Sequence, residues 1–217
     1  MSKKSFLKMS AGEVIATLAS GKIRIPSKEY PMKSPFEVFD CENSNFFKDE
    51  DAIQALDGLQ VAWGNPFQTA VKTYNTLVLM VGANAVSFYE GWLFSAPDYP
   101  MHHFWCVVRN DSGERFVIDL NDNYAMFFKY MATMKAGGSN IPAGVLFEDF
   151  CRKTRNIGNR YRCFPFGKVS PNLVYIGRAC SPSEGAAAHA ELIKAFPYHK
   201  GRFPADRTPD WDAFRGN

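Results

Sequence analysis

The chain has 217 residues, of which 46% are apolar, and its 25 Lys and Arg outnumber its 22 Asp and Glu by only three. This length and composition are typical of a globular protein with a sizeable core, and they exclude a low-complexity or disordered chain. The aromatic share of 15%, with 19 Phe, favours a mixed or β-rich core over a helical bundle.

Targeting signals, membrane segments and metal motifs are not visible in the sequence. No run approaches the roughly 18 apolar residues that a membrane helix needs, and the basic start has no apolar signal segment. The cysteines have no CxxC spacing, so we expect reduced thiols and no zinc site. They are Cys41, Cys106, Cys151, Cys163 and Cys180. These observations predict a cytoplasmic protein with no cofactor, no metal and no membrane partner.

The N-terminal part of the chain predicts short, irregular structure. A capping-box sequence followed by a glycine predicts a helix over residues 10–21. Residues 22–47 contain three prolines, which favour irregular chain with one edge strand at 36–39. Acidic residues at the start of 49–56 suit the positive end of a helix there.

Residues 65–122 are predicted to form the centre of the fold. Asn65 is a good N-cap, Pro66 suits a first helical turn and Gly82 suits the end, so these residues predict a helix over 66–81. Three strands rich in Val and aromatic residues follow, at 85–95, 102–108 and 115–120. The last two strands are joined by a turn sequence and are predicted to form a hairpin.

Polar residues recur within these apolar elements. They are Lys72 and Asn75 on the helix, Glu90 on the first strand, His102 or His103 on the second and Asp119 on the third. Buried polar groups must be hydrogen-bonded, so the series predicts either a structural network or an active site. An odd number of residues in the hairpin loop places Asp119 on the face of His103, and an even number places it on the face of His102.

The remaining chain completes one domain. Helices are predicted at 122–136, 143–155 and 181–196, a strand within 172–179, and an irregular tail at 197–217. The whole chain, residues 1–217, is therefore interpreted as a single α+β domain. It contains an antiparallel sheet with packed helices and has N- and C-terminal elaborations.

Four short motifs in residues 65–122 resemble those of small bacterial and phage proteins of the NlpC and transglutaminase-like papain-fold grouping. The motifs are Asn75 on the helix, Tyr89-Glu90-Gly91-Trp92, His103-Phe104-Trp105 and Ile118-Asp119. The resemblance implies a papain-like core. In such a core a helix cysteine attacks a carbonyl, and a strand histidine oriented by an acid takes its proton. Lys72 stands at the position that the resemblance gives to the cysteine, and residues 65–82 contain no Cys or Ser.

The absent cysteine leaves two interpretations of this stretch. In the first, a papain-like protein has lost thiol catalysis and acts as a binding or effector protein for an unidentified protein or an anionic ligand. Glu90, His103 and Asp119 then form a buried network. In the second, the protein is an active hydrolase or acyltransferase that uses His103 and Asp119. Lys72 then holds an anionic or acyl group.

A third interpretation rests on residues 151–183, which hold seven basic residues and no acidic one. Basic residues interleaved with aromatic ones are typical of surfaces that bind single-stranded nucleic acid. The segment therefore predicts a nucleic-acid or anion-binding module. Its candidate binding residues are Arg152, Arg155, Arg160, Arg162 and Lys168.

Overall fold

The structure, a computed structural model, describes residues 37–59, 65–94, 100–122, 166–170 and 173–195, together with positions 134, 138, 140, 141, 145 and 149. The helix predicted at 10–21 and the tail at 197–217 lie outside these residues. Most of the helices predicted at 122–136 and 143–155 also lies outside them.

The described part of the chain forms five strands and three longer helices. The strands are β1 (Glu37–Phe39), β2 (Val86–Phe94), β3 (Pro100–Arg109), β4 (Arg115–Ile118) and β5 (Val174–Cys180). The helices are α1 (Glu50–Asp57), α2 (Pro66–Val81) and α3 (Pro182–Ala195). The elements predicted within these ranges are confirmed, as are the α+β class and the antiparallel sheet. β4 ends two residues before the predicted end of its strand.

All five strands join one antiparallel sheet in the order β1-β5-β2-β3-β4. β2 is central and pairs with β3 from Val86↔Val108 to Phe94↔Pro100. On its other side β2 pairs with β5, which is distant from it in the sequence. The two strands that flank β2 are therefore a local neighbour and a distant one.

The sheet separates two apolar cores. We call the face that the helices cover the helix face, and its core includes Phe88, Phe104 and Cys106 together with residues of α1 and α2. The opposite face, here called the second face, has a core that includes Trp105 and Tyr175. Because side chains alternate along a strand, consecutive residues of β3 are buried in different cores.

α2 begins and ends at the predicted caps. Asn65 Oδ1 accepts a 2.9 Å hydrogen bond from the backbone of Gln68, and Gly82, with φ of 87°, closes α2 on the carbonyl of Val78. Asp49 caps α1 in the same way. No helix in the described ranges is long and apolar enough to span a bilayer.

The hairpin turn sets the register of β3 and β4. Five residues, 110–114, connect the two strands, and Asn110 Oδ1 accepts a 2.8 Å hydrogen bond from the Glu114 backbone. This odd number pairs Cys106 with Ile118. Asp119, the next residue along the chain, therefore lies on the second face with His103.

Two facing glycines allow β2 and β5 to pack closely. Gly91 pairs with Gly177, and a Cβ atom on Gly91 would lie 2.2 Å from the Ile176 carbonyl oxygen. A Cβ atom on Gly177 would lie 2.4 Å from the ring of Trp105. These positions leave no room for a side chain, so the glycines are required by packing.

We expect Gly91→Ala to lower the free energy of unfolding by about 1–3 kcal/mol, because the added methyl group must displace backbone atoms of β5. Gly58→Ala is the matched control, since its Cβ would meet its nearest neighbour at 3.5 Å. Urea denaturation measures both changes. Equal midpoints for wild type and Gly91→Ala would contradict the close packing of β2 on β5.

Candidate functional site

The predicted polar residues form two separate histidine–carboxylate pairs. Glu90 pairs with His102 on the helix face, and Asp119 pairs with His103 on the second face. His102 and His103 are adjacent in β3, so their side chains point to opposite sides of the sheet. The structure therefore does not bring Glu90 together with His103 and Asp119.

On the helix face, Glu90 is held between two strands. Its Oε1 accepts a 3.0 Å hydrogen bond from His102 Nε2, and its Oε2 accepts one of 3.2 Å from Arg178 Nε on β5. The Glu90 and His102 side chains are 4% and 2% exposed. Burial acts to raise the pKa of Glu90, but the hydrogen bond from His102 and the positive charge of Arg178 outweigh it and lower that pKa.

His102 is neutral at pH 7. Burial lowers its pKa more than the neighbouring Glu90 carboxylate raises it. Because an ionised carboxylate only accepts hydrogen bonds, the ring proton lies on Nε2. The Glu90 carboxylate thus accepts hydrogen bonds from the neutral His102 imidazole and from the cationic Arg178 guanidinium.

His189 on α3 extends the helix-face network. Its ring stacks on His102 with centroids 6.1 Å apart and on Phe67 of α2 with centroids 5.7 Å apart. Burial, aided by the neighbouring His102, lowers the pKa of His189 to about 4. Two stacked neutral imidazoles therefore connect α3 to the sheet and to the start of α2.

On the second face, Asp119 accepts three hydrogen bonds. His103 Nε2 and Tyr175 Oη donate to Oδ2 at 2.7 Å and 2.8 Å, and the Asn121 backbone donates to Oδ1 at 2.7 Å. Burial and the negative charge of Asp119 raise the pKa of Tyr175 well above its usual value. The carboxylate joins β3, β5 and the chain that follows β4.

A small polar cavity of about 10 Å³ adjoins this pair. Asp119, Tyr175, Lys168 and Ser170 are among the residues that line it. That volume is about the room that one water molecule needs. It does not provide space for a substrate.

Lys72 and Asn75 lie away from the second face. They belong to α2, which packs on the helix face, so the sheet separates them from His103. Asn75 is exposed and Lys72 half-buried. The buried side of α2 consists instead of Thr69, Ala70, Thr73 and Leu77.

The described thiols are poorly suited to nucleophilic attack on a substrate. Cys106 is fully buried on the helix face and donates to the Ala70 carbonyl at 3.5 Å, and burial raises its pKa well above the usual value. Burial likewise raises the pKa of Cys180 to about 12. Cys41 is half-buried in the chain after β1. Within the described ranges, no thiol or hydroxyl group makes a direct hydrogen bond to His103. The Tyr175 hydroxyl is connected to it only through Asp119.

The basic segment lies mainly beyond the described chain. Arg152, Arg155, Arg160 and Arg162 all fall outside the described residues. Lys168 is described, and its Nζ donates to the carbonyl oxygens of Cys41 and Ser44, both at 2.9 Å. Lys168 thus holds the chain after β1. Across the described residues, no group of three or more His, Cys, Asp or Glu side chains could hold a metal ion.

The sequence did not identify three members of these networks. Tyr175 and Arg178 lie three positions apart on β5, and each binds a carboxylate on a different face. The positions of Tyr175 and Arg178 in the sheet depend on the pairing of β5 with β2, two strands about 90 positions apart in the sequence. His189 lies within the helix predicted at 181–196, but its ring contacts with His102 and Phe67 depend on tertiary packing.

No protein-family model, curated protein or solved structure matches the chain. The papain-like resemblance therefore stays a prediction based on the order of the short motifs.

Acidification should destabilise the fold through His102 and His189. Both pKa values lie below the unfolded value of about 6.5, so the unfolded state binds more protons as the pH falls. The stability that they contribute is complete above about pH 6.5 and declines as the pH falls below it; the part due to His189 is lost as the pH approaches 4. For His189, which is half-buried, we expect a loss of about 1 kcal/mol between pH 7 and pH 5 after allowing for solvent screening.

Urea denaturation at pH 7, 6 and 5 measures this loss. His189→Phe keeps an aromatic ring in the stack and should weaken the pH dependence while folding normally at pH 7. An unchanged pH dependence in that variant would assign the effect to other groups.

Proposed function

We propose that this protein is a binding or effector protein on a papain-like scaffold that has lost thiol catalysis. The observation that carries the proposal is the closed state of the His103–Asp119 pair. Its side chains are 1% and 5% exposed, and Asp119 accepts hydrogen bonds from His103, Tyr175 and the Asn121 backbone.

A general base must come within hydrogen-bond reach of the proton that it removes. His103 donates a hydrogen bond from Nε2 to Asp119. Nδ1 is therefore its only basic nitrogen. With the ring 1% exposed, a substrate would reach that nitrogen only after the second face had opened. The active hydrolase or acyltransferase alternative requires such an opening.

Among the described residues, no suitable nucleophile lies beside His103. Lys72 is on a helix that covers the opposite face, and a lysine amine attacks only after losing its proton in a desolvated site. Raised pKa values keep the thiols of Cys106 and Cys180 protonated at neutral pH. These positions support a scaffold whose histidine–carboxylate pairs are structural.

The two pairs have a clear structural use. Glu90 connects β2, β3 and β5, and Asp119 connects β3, β5 and the end of the hairpin. A buried network in which every polar group is hydrogen-bonded stabilises one strand register, because any shift in register leaves charged groups without partners. Support for a papain-like scaffold comes from the chain order, in which a capped helix precedes the strand that carries His103 and the hairpin that leads to Asp119.

The partner class remains the one expected from the sequence, an unidentified protein or an anionic ligand, in the cytoplasm. The nucleic-acid interpretation stays a prediction for Arg152, Arg155, Arg160 and Arg162. Lys168 contributes little to it, because its ammonium group already binds two carbonyl oxygens.

We expect His103→Ala to destabilise the protein by about 1–3 kcal/mol, because Asp119 then loses a buried hydrogen-bond donor. The melting temperature should fall clearly. Asn75→Ala, at an exposed position, is the control and should change stability by less than about 0.5 kcal/mol.

A catalytic pair would behave differently under the same substitution. If His103 served chemistry, its removal would leave stability unchanged or raise it, since functional sites are often destabilising. A His103→Ala variant that melts at or above the wild-type temperature would therefore reject the scaffold proposal.

The folded protein should also lack an activated thiol. With excess iodoacetamide at pH 7, we expect Cys106 and Cys180 to react far more slowly than free glutathione, because little thiolate is present. Mass spectrometry of timed samples gives the rate at each cysteine, and the urea-unfolded protein is the control. Rapid labelling of a single site, whether Cys41 or Cys106, would restore the thiol-enzyme interpretation.

A further inference from the structure

A cleft lies at the end of the sheet where the β3–β4 hairpin turns. It has a volume of about 610 Å³. Its walls are the chain before α1 (residues 45–49), the last turn of α2 and the hairpin turn. A hydrogen bond of 3.5 Å between Asn45 and Glu114 joins two of these walls. None of the residues that line the cleft belongs to either histidine–carboxylate pair.

The base of the cleft is apolar, its walls carry polar and charged side chains, and its rim exposes further apolar side chains. Phe47, Val108 and Phe116 are buried at its base. At the rim, Phe46 is 52% exposed and Met80 is 42% exposed. A volume within about 300–1,000 Å³ and an apolar base are typical of binding sites. Methionine at the rim adapts readily to different partner side chains.

The charge around the cleft favours a cation. Three carboxylates line it, those of Asp49, Asp111 and Glu114, against the two cations of Lys48 and Arg109. Met80 and Val81 in the last turn of α2 also line the cleft. That end of α2 carries partial negative charge and has no basic residue in its last turn. The adjoining residues 40–57 contain six acidic residues and one lysine.

We propose that this cleft binds a peptide segment of a partner protein in which an apolar side chain adjoins a Lys or Arg. The apolar side chain fills the space between Phe46 and Met80 over the aromatic base. The basic side chain faces Asp111 and the end of α2. This binding site goes beyond the function proposed above, and it holds whether or not His103 and Asp119 are catalytic.

Polyanions are disfavoured at this cleft, because a nucleic-acid backbone would meet its carboxylates and the negative end of α2. A peptide with both an apolar and a basic residue matches both parts of the surface, which is the arrangement that gives specificity in peptide recognition.

The test uses the full chain, immobilised and screened against a phage library of random dodecapeptides. Enriched sequences should share an apolar residue next to Lys or Arg. A fluorescent synthetic copy of the most enriched peptide then gives the affinity by anisotropy. Its Kd should rise severalfold as the salt concentration is increased, because part of the binding is ionic.

Substitutions in the cleft should weaken binding of that peptide. We expect Phe46→Ala combined with Met80→Ala to raise its Kd about tenfold. Asp111→Lys, on the exposed hairpin turn, should raise it about fivefold and reduce the salt dependence. The matched control is Glu191→Lys, a charge reversal at an exposed position of α3, which should leave the Kd unchanged.

Several outcomes would overturn the proposal. They are the absence of any enriched peptide, enrichment of acidic or purely apolar peptides, and equal affinity for wild type and the Asp111→Lys variant. Thermal melting verifies that each variant is folded. If the double variant does not fold, Asp111→Lys and the salt series still decide the result.

Discussion

Two adjacent histidines buried in one strand oblige the sheet to supply a hydrogen-bond acceptor on each of its faces. A buried polar group without a partner costs about 1–3 kcal/mol, a large part of the stability of a small domain. Glu90 meets this requirement for His102, and Asp119 meets it for His103. Each buried carboxylate then needs donors of its own, which extends the requirement to other strands.

β5 supplies a hydrogen-bond donor to each of these two carboxylates. Its side chains alternate, so Tyr175 reaches Asp119 on the second face and Arg178 reaches Glu90 on the helix face. The pairing of Gly91 with Gly177 brings the two backbones close enough for these contacts. A strand distant in sequence is thus held in the middle of the sheet by two polar networks and by close backbone contact.

Within the described residues, local signals in the sequence were sufficient for α1, α2, α3 and the hairpin. Asn65, Pro66 and Gly82 determined the bounds of α2, and the five-residue turn made Asp119 face His103 as the odd loop length required. The assignment of site residues to Lys72 and Asn75 on α2 stays a prediction. The side of α2 that packs on the sheet consists mainly of small residues, Thr69, Ala70 and Thr73, together with Leu77.

The physical reason is the short distance between α2 and β3. Cys106 Sγ lies 3.5 Å from the carbonyl oxygen of Ala70, so only a small side chain fits at position 70. The larger Phe67 and Val71 pack at the edge of that contact and are partly buried. Pairing of β5 with β2 was beyond local signals, since it depends on contacts between distant parts of the chain.

The length of the hairpin turn also constrains how this protein can evolve. Losing or gaining one residue within residues 110–114 would reverse the side on which the chain after β4 presents its side chains. Asp119 would then point towards the apolar core beneath the helices, and His103 would lose its acceptor. Relatives of this protein should therefore change the turn in steps of two residues, or add a β-bulge that restores the original parity.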